Sequence, residues 1–180
     1  MRGDVALTGT PGAGKSTIAQ ALAGHPEALE LSDWAVELGF GRRRGRTVTV
    51  DLARFRHALR TRRPAGSARL VVGHLAHLVG IEDMIVLRCH PLELERRLRS
   101  SGRDAREVQE NVVAEAVDRI LIEALRRAKR VWEVDTTGRT VRSVAQEVRR
   151  LFRARPAPRF GQVDWLADPA VTEQLLRRGP

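Results

Sequence analysis

The chain has 180 residues, room for one domain and a short appendage, and its 42% hydrophobic residues are spread widely enough to build a core, which excludes a disordered chain. No apolar run approaches the ~18–20 residues of a membrane span. The net charge is +10, and because lysine occurs only at Lys15 and Lys129, 30 of the 32 basic residues are arginine, a side chain suited to gripping phosphate in bidentate fashion.

Met1 to Val5 runs straight into a strand-like stretch with no signal-peptide apolar region, so a cytoplasmic protein with no membrane partner is expected. Asp4–Thr8 reads as a buried strand, Gly9–Gly14 as a tight turn and Lys15–Ala23 as a helix. Leu29–Leu31 reads as a second strand, with Ser32 or Asp33 capping a helix to about Leu38. Gly39–Arg46 reads as a basic loop, and Asp51 caps a helix to about Arg62. From Arg42 to Arg63 there are nine arginines against one acid, Asp51, an excess that suits a phosphorylated acceptor or an RNA partner and equally suits arginine-rich drift on an exposed face.

Arg69–Val72 and Met84–Cys89 are continuous apolar runs of the kind buried in parallel sheets. Cys89 is the only cysteine, which excludes an internal disulfide and argues against a cysteine-based metal site. Pro91 fits the first turn of a helix ending near Ser100, and Ser101-Gly102-Arg103 breaks it. Asp104 then caps one long helix to about Ala128, with Val108, Val112, Ala116, Ile120, Ala124 and Ala128 on a single stripe. Val131–Val134 is the last strand, and Thr140 opens a helix to about Phe152. Arg153–Arg159, with Pro156 and Pro158, reads as a linker to a tail, Gln162–Arg178, whose Val163, Trp165, Leu166, Val171, Leu175 and Leu176 suggest that it docks. Strands alternating with helices imply an α/β fold with an open parallel sheet flanked by helices, a main domain at 1–155 and an extension at 156–180.

The strongest chemical signal is Gly9-Thr10-Pro11-Gly12-Ala13-Gly14-Lys15-Ser16, a full G-x-x-x-x-G-K-[ST] after a strand and before a helix. Backbone N–H groups must approach phosphate oxygens, so bulky side chains are excluded at Gly12 and Gly14, with Ala13 between them. The helix start turns its positive end to the anion. The Lys15 ammonium can follow the β- and γ-phosphates, the Ser16 hydroxyl can ligate Mg²⁺, and Thr17 can add a phosphate contact, so ATP and Mg²⁺ are expected. Arg99 and Arg103, beside the hinge at Gly102, are the candidates for a closing segment that neutralises charge on a transferring phosphoryl group. His74, at the carboxyl end of a central strand, can orient a water or contact phosphate, or be a capping or buried histidine. His77 shares its helical spacing, without a third metal ligand nearby. The turn Asp135-Thr136-Thr137-Gly138 can face the nucleotide base or simply join two elements.

Taken in order, the P-loop through Thr17, Gly73-His74-Leu75-Ala76-His77-Leu78, Ile85–Pro91, Glu110–Ala116 and Asp135–Gly138 resemble the archaeal proteins named putative adenylate kinases, relatives of nuclear adenylate kinase isoenzyme 6. The resemblance runs from about Asp4 to Phe152 and implies a P-loop nucleoside monophosphate kinase fold, with an NMP-binding region near 30–52 and a lid near 100–110. It implies reversible phosphoryl transfer from ATP to AMP or related monophosphates, with ATPase activity. It also implies a role in maturation of the small ribosomal subunit, through a platform ribosomal protein and pre-rRNA. Three positions depart from the family pattern: Val72 stands where an acid is usual, Ser101 where an arginine is usual, and Arg42-Arg43-Arg44 where acids are frequent. The missing acid at Val72 and the basic 42–63 segment point to one alternative, an ATP-driven assembly ATPase with vestigial kinase activity; a kinase of another small molecule, such as a sugar or a shikimate-like acceptor, is a third reading that the later motifs do not support.

Overall fold

The computed structural model describes residues 3–23, 25–45, 47–61 and 68–177. In chain order the elements are β1 (Val5–Gly9), α1 (Lys15–Ala21), β2 (Ala28–Glu30), α2 (Leu31–Glu37), β3 (Gly41–Arg44), β4 (Thr47–Val50) and α3 (Leu52–Thr61). There follow β5 (Leu70–Val72), β6 (Asp83–Arg88), α4 (Pro91–Ser100), α5 (Ala105–Ala116), α6 (Arg119–Leu125), β7 (Arg130–Asp135), α7 (Val141–Ala154) and α8 (Pro169–Arg177). Short 3₁₀ turns lie at Ala76–Leu78 and Trp165–Ala167.

Five strands form a wholly parallel sheet in the order β2-β5-β1-β6-β7. The chain starts at the centre, works out to one edge and returns to the other side of β1, so a crevice opens at the carboxyl end of β1, where open α/β sheets bind ligands. The central strands are apolar through their middles because both faces are covered, with charged residues only at the ends of β6. Ile18, Leu94, Val108, Val112, Val144 and Val148 pack on one face, and Leu31, Phe55, Leu59, Leu121 and Ala124 on the other.

Four sequence expectations change. The basic loop at 39–46 is half of an antiparallel hairpin in which Arg42 pairs with Thr49 and Arg44 with Thr47. The alternating Thr-Val-Thr-Val of β4 supplies a strand-forming edge, and Gly45, at φ 56°, makes the turn. The cap of α2 is neither Ser32 nor Asp33: the helix begins at Leu31 and no side chain caps it. The stretch 153–159 is no free linker. Arg159 bonds the edge of β7 through Glu133 N–H to its carbonyl, 2.8 Å, and its own N–H to Val131 O, 3.1 Å, while the Trp132 indole donates to Pro156 O. The expected cap of α3 at Asp51 is present, the Arg54 N–H donating to its carboxylate at 3.1 Å.

The fourth change is the long helix, which breaks at Asp118 in left-handed geometry, φ 56°. Arg88, 1% exposed at the end of β6, is the reason. Its guanidinium donates to Glu115 at 2.8 Å, to Glu133 at 2.7 Å and to Asp118. A buried cation needs such partners, and bringing Asp118 to it bends the chain. The apolar stripe is thereby divided: Val108 and Val112 pack on one face of the sheet, Ile120, Ala124 and Ala128 on the other.

Candidate functional site

The loop from β1 to α1 carries Gly12 at φ 89° and Gly14 at φ 98°, conformations that L side chains resist. A Cβ on Gly12 would also stand 2.9 Å from both Leu94 Cδ1 and Leu98 Cδ2. The glycine thus serves packing against α4 as well as the loop's curvature. Ala13 buries its methyl completely, and its N–H closes the turn on Thr10 O at 3.1 Å. Ser16 and Thr17 are exposed toward a cavity of about 690 Å³.

Lys15 lies folded over the loop, its ammonium donating to Gly9 O at 2.8 Å and Thr10 O at 2.9 Å. Burial pushes its pKa down to about 8, with the carboxylates of Glu30 and Glu115 pulling the other way. Glu30, missed by the sequence reading, ends β2 with its carboxylate in the neighbourhood of Ser16 and Lys15. Its pKa is raised by burial, against the opposing pull of Ser16 and Lys15. No local pattern marks this residue; only the sheet order brings β2 beside the P-loop.

The large cavity is walled by Gly12–Ile18, by Arg97, Ser101 and Arg103 at the α4–α5 junction, and by Thr136, Arg139 and Val141 after β7. Arg103 is therefore at the site, paired with Glu107. Arg99 is not: its guanidinium is bound to Glu95 at 2.7 Å, and it does not line the cavity. Its place is taken by Arg97, two residues earlier, which also reaches Thr136 Oγ1 at 3.4 Å. Helical periodicity decides this, since positions two apart face in different directions. Of the turn after β7, Thr136 and, just beyond it, Arg139 face the cavity.

A second cavity of about 350 Å³ lies on the other side of Thr10 and Pro11, lined by His74, His77, Asn111, Arg119 and Glu123. His74 keeps an exposed face, yet the protein around its ring, with Lys15, His77 and Arg103, pulls its pKa below the usual imidazole value. His77 is a buried structural histidine, bonded to Thr8 Oγ1 and Glu123 Oε2, each at 3.0 Å. Among the described residues no group of three His, Cys, Asp or Glu side chains is placed to hold a metal. No described helix is long and apolar enough to cross a membrane.

A strand–P-loop–helix cup at the centre of a parallel α/β sheet, with a lysine over it and arginines opposite, defines a P-loop protein of the kind that holds nucleotide phosphates. A model of the family described as "AAA domain" matches residues 5–118. The "Putative adenylate kinase" of Thermococcus gammatolerans is 40% identical over 164 residues, covering 89% of this chain and 92% of its own. Those of Thermococcus onnurineus and Pyrococcus furiosus are 36% and 39% identical, covering 97% and 89% of this chain and 98% and 90% of theirs. A solved shikimate kinase from Acinetobacter baumannii, in complex with shikimate, shares the fold at TM-score 0.53 and 18% identity, covering 84% of this chain and 93% of that one. The chain belongs to the archaeal adenylate-kinase-like family of P-loop proteins.

Proposed function

We propose that this protein is an adenylate-kinase-type nucleoside monophosphate kinase, moving the γ-phosphoryl group of ATP reversibly to AMP, with hydrolysis of ATP as a side reaction. The observation that carries the reading is the meeting of Lys15, Ser16 and Thr17 with Arg97 and Arg103 around one cavity. The residues fit a magnesium–nucleotide: glycines 12 and 14 leave room for backbone approach, a lysine of lowered pKa stands by, and the exposed Ser16 hydroxyl faces the cavity with the Glu30 carboxylate in its neighbourhood. The magnesium would be held by Ser16 and would draw charge from the polyphosphate.

An acceptor phosphate oxygen attacks the γ-phosphorus while the bond to the β–γ bridging oxygen breaks, and that oxygen leaves on ADP. Lys15 and Arg103 match the charge as it moves. Arg97 and the 136–139 turn seat the base and sugar. The segment near 100–110 acts as lid, and that near 30–52 receives the monophosphate. His74, close to Lys15 and Arg103, stands on the acceptor side, where it can contact the phosphate to be extended.

A coupled assay with Mg-ATP and each monophosphate tests this: ADP formed on addition of AMP is expected, and no diphosphate from any monophosphate overturns it. Val72 at the end of β5, where an acid would polarise the site, and the exposed Arg42 and Arg44 of the hairpin favour a second reading, an ATP hydrolase working on an anionic partner. Phosphate release indifferent to AMP would support it.

A further inference from the structure

Leu7 of β1, Val72 of β5 and Glu30 of β2 lie in one row across the sheet, Leu7 in register with Val72 and Val72 with Glu30. In P-loop enzymes the loop's Ser or Thr holds magnesium together with a strand-end acid. The strand beside β1 offers none here: β5 ends in Val72, fully buried hydrocarbon, followed by Gly73. One strand further out, β2 ends in Glu30, whose half-buried carboxylate lies in the neighbourhood of Ser16 and in the field of Lys15.

The fully buried carboxylates are engaged elsewhere. Asp4 accepts the Arg69 N–H, Asp83 binds Arg130 and Arg155, and Glu95 binds Arg99. Glu133 binds Arg88 and Gln162 N–H, and Glu115 binds Arg88 and Thr10. We propose that Glu30, together with the Ser16 hydroxyl, anchors the magnesium ion that accompanies the nucleotide, the acid of the site having moved one strand outward from β5 to β2. Magnesium keeps several of its waters and takes only one or two protein carboxylates, so a single glutamate beside the serine is a sufficient complement. The inference rests on the magnesium–nucleotide reading of the site.

Calorimetric titration of the whole chain with ATP, once in magnesium and once in EDTA, tests it. Wild type is expected to bind more tightly with the metal. Glu30→Gln should lose on the order of 10–100-fold of affinity for the metal–nucleotide. Its affinity in EDTA should stay equal or rise, because a negative charge has left the neighbourhood of the polyphosphate. Glu30→Asp should keep part of the magnesium gain. Mn²⁺ titrated with ADP and followed by electron paramagnetic resonance gives a second readout, the bound-metal signal persisting in wild type and lost in Glu30→Gln. An equal magnesium gain in wild type and Glu30→Gln overturns the proposal, as does an equal loss with and without metal. Wild type that binds no nucleotide in either medium would fell the kinase reading and this inference together; normal wild-type binding with an unaltered variant fells the inference alone.

Discussion

The hydroxyl of Thr10, second residue of the P-loop, donates to the Glu115 carboxylate on α5 across 2.5 Å. The other oxygen of that carboxylate accepts from Arg88, from Cys89 N–H and, at 3.2 Å, from the Trp165 indole. One buried glutamate therefore ties the phosphate loop to the end of β6 and to the C-terminal tail.

Replacing Glu115 by alanine should cost about 3–5 kcal/mol, because it leaves the buried Arg88 short of a partner. Denaturant unfolding monitored by circular dichroism measures the loss. ATP affinity of the folded fraction should fall too, since Thr10 loses its tether.

Lys15 gives a prediction with a sign. Its pKa in the folded protein is about 8 against 10.5 unfolded, so folding disfavours the charged form. The penalty is fully present below pH 8 and vanishes as pH rises to the unfolded value. It amounts to about 3 kcal/mol at most, offset by two hydrogen bonds to loop carbonyls. Without nucleotide, Lys15→Met should compare best with wild type below pH 8, where it escapes the full penalty while losing the two bonds, and the stability difference should shift steadily toward wild type between pH 8 and 10.5. Its turnover should fall on the order of 10²-fold or more. Paired denaturation curves across pH and a coupled ADP assay read both effects.

The phosphate loop was legible because its chemistry is local: eight consecutive residues specify turn, amides, lysine and hydroxyl. The parallel strands were legible from their apolar runs. The hairpin carried a readable signal in Thr47-Val48-Thr49-Val50, obscured by the arginines before it. The break at Asp118 was hidden, since apolar residues recur at every fourth position from Val108 to Ala128 with no glycine or proline between them, while its cause, the buried Arg88, lies 30 residues away. Glu30 and Arg97 were illegible for the same reason: their roles depend on which strand lies beside which, and on which side of α4 meets the loop.

Three arginines of the α4–α5 junction should separate cleanly. Arg97→Ala removes a cavity wall and should raise the dissociation constant for ATP. Arg103→Ala should lower kcat more than it weakens ATP binding. Arg99→Ala, whose side chain faces Glu95, should change both by no more than about twofold. Steady-state kinetics with direct nucleotide binding on each variant checks the order, and a strong effect at Arg99 would restore it to the site.

Cys89 should be inert in the folded state. It is wholly buried, and burial pushes its thiol up to about 12, so almost no thiolate forms at neutral pH. Thiol titration with Ellman's reagent should count no reactive thiol until denaturant is added.

Trp165 tests whether the tail is part of the domain or merely rests on it. Its ring is 9% exposed and lies 5.0 Å from the His90 ring and 5.9 Å from the Arg88 guanidinium, and its indole N–H reaches Glu115. Trp165→Ala should cost about 3–5 kcal/mol through the cavity it leaves. Trp165→Phe keeps one six-membered ring but removes the donor and the rest of the indole, so it should cost about 1–3 kcal/mol. If the tail and the phosphate loop share Glu115 energetically, the effects of Trp165→Phe and Thr10→Val will not add, because both remove a donor from the same carboxylate. A coupling energy of about 0.5 kcal/mol or more in the double-mutant cycle is expected. Strict additivity would mean that Glu115 holds the two donors independently and that the tail does not sense the loop.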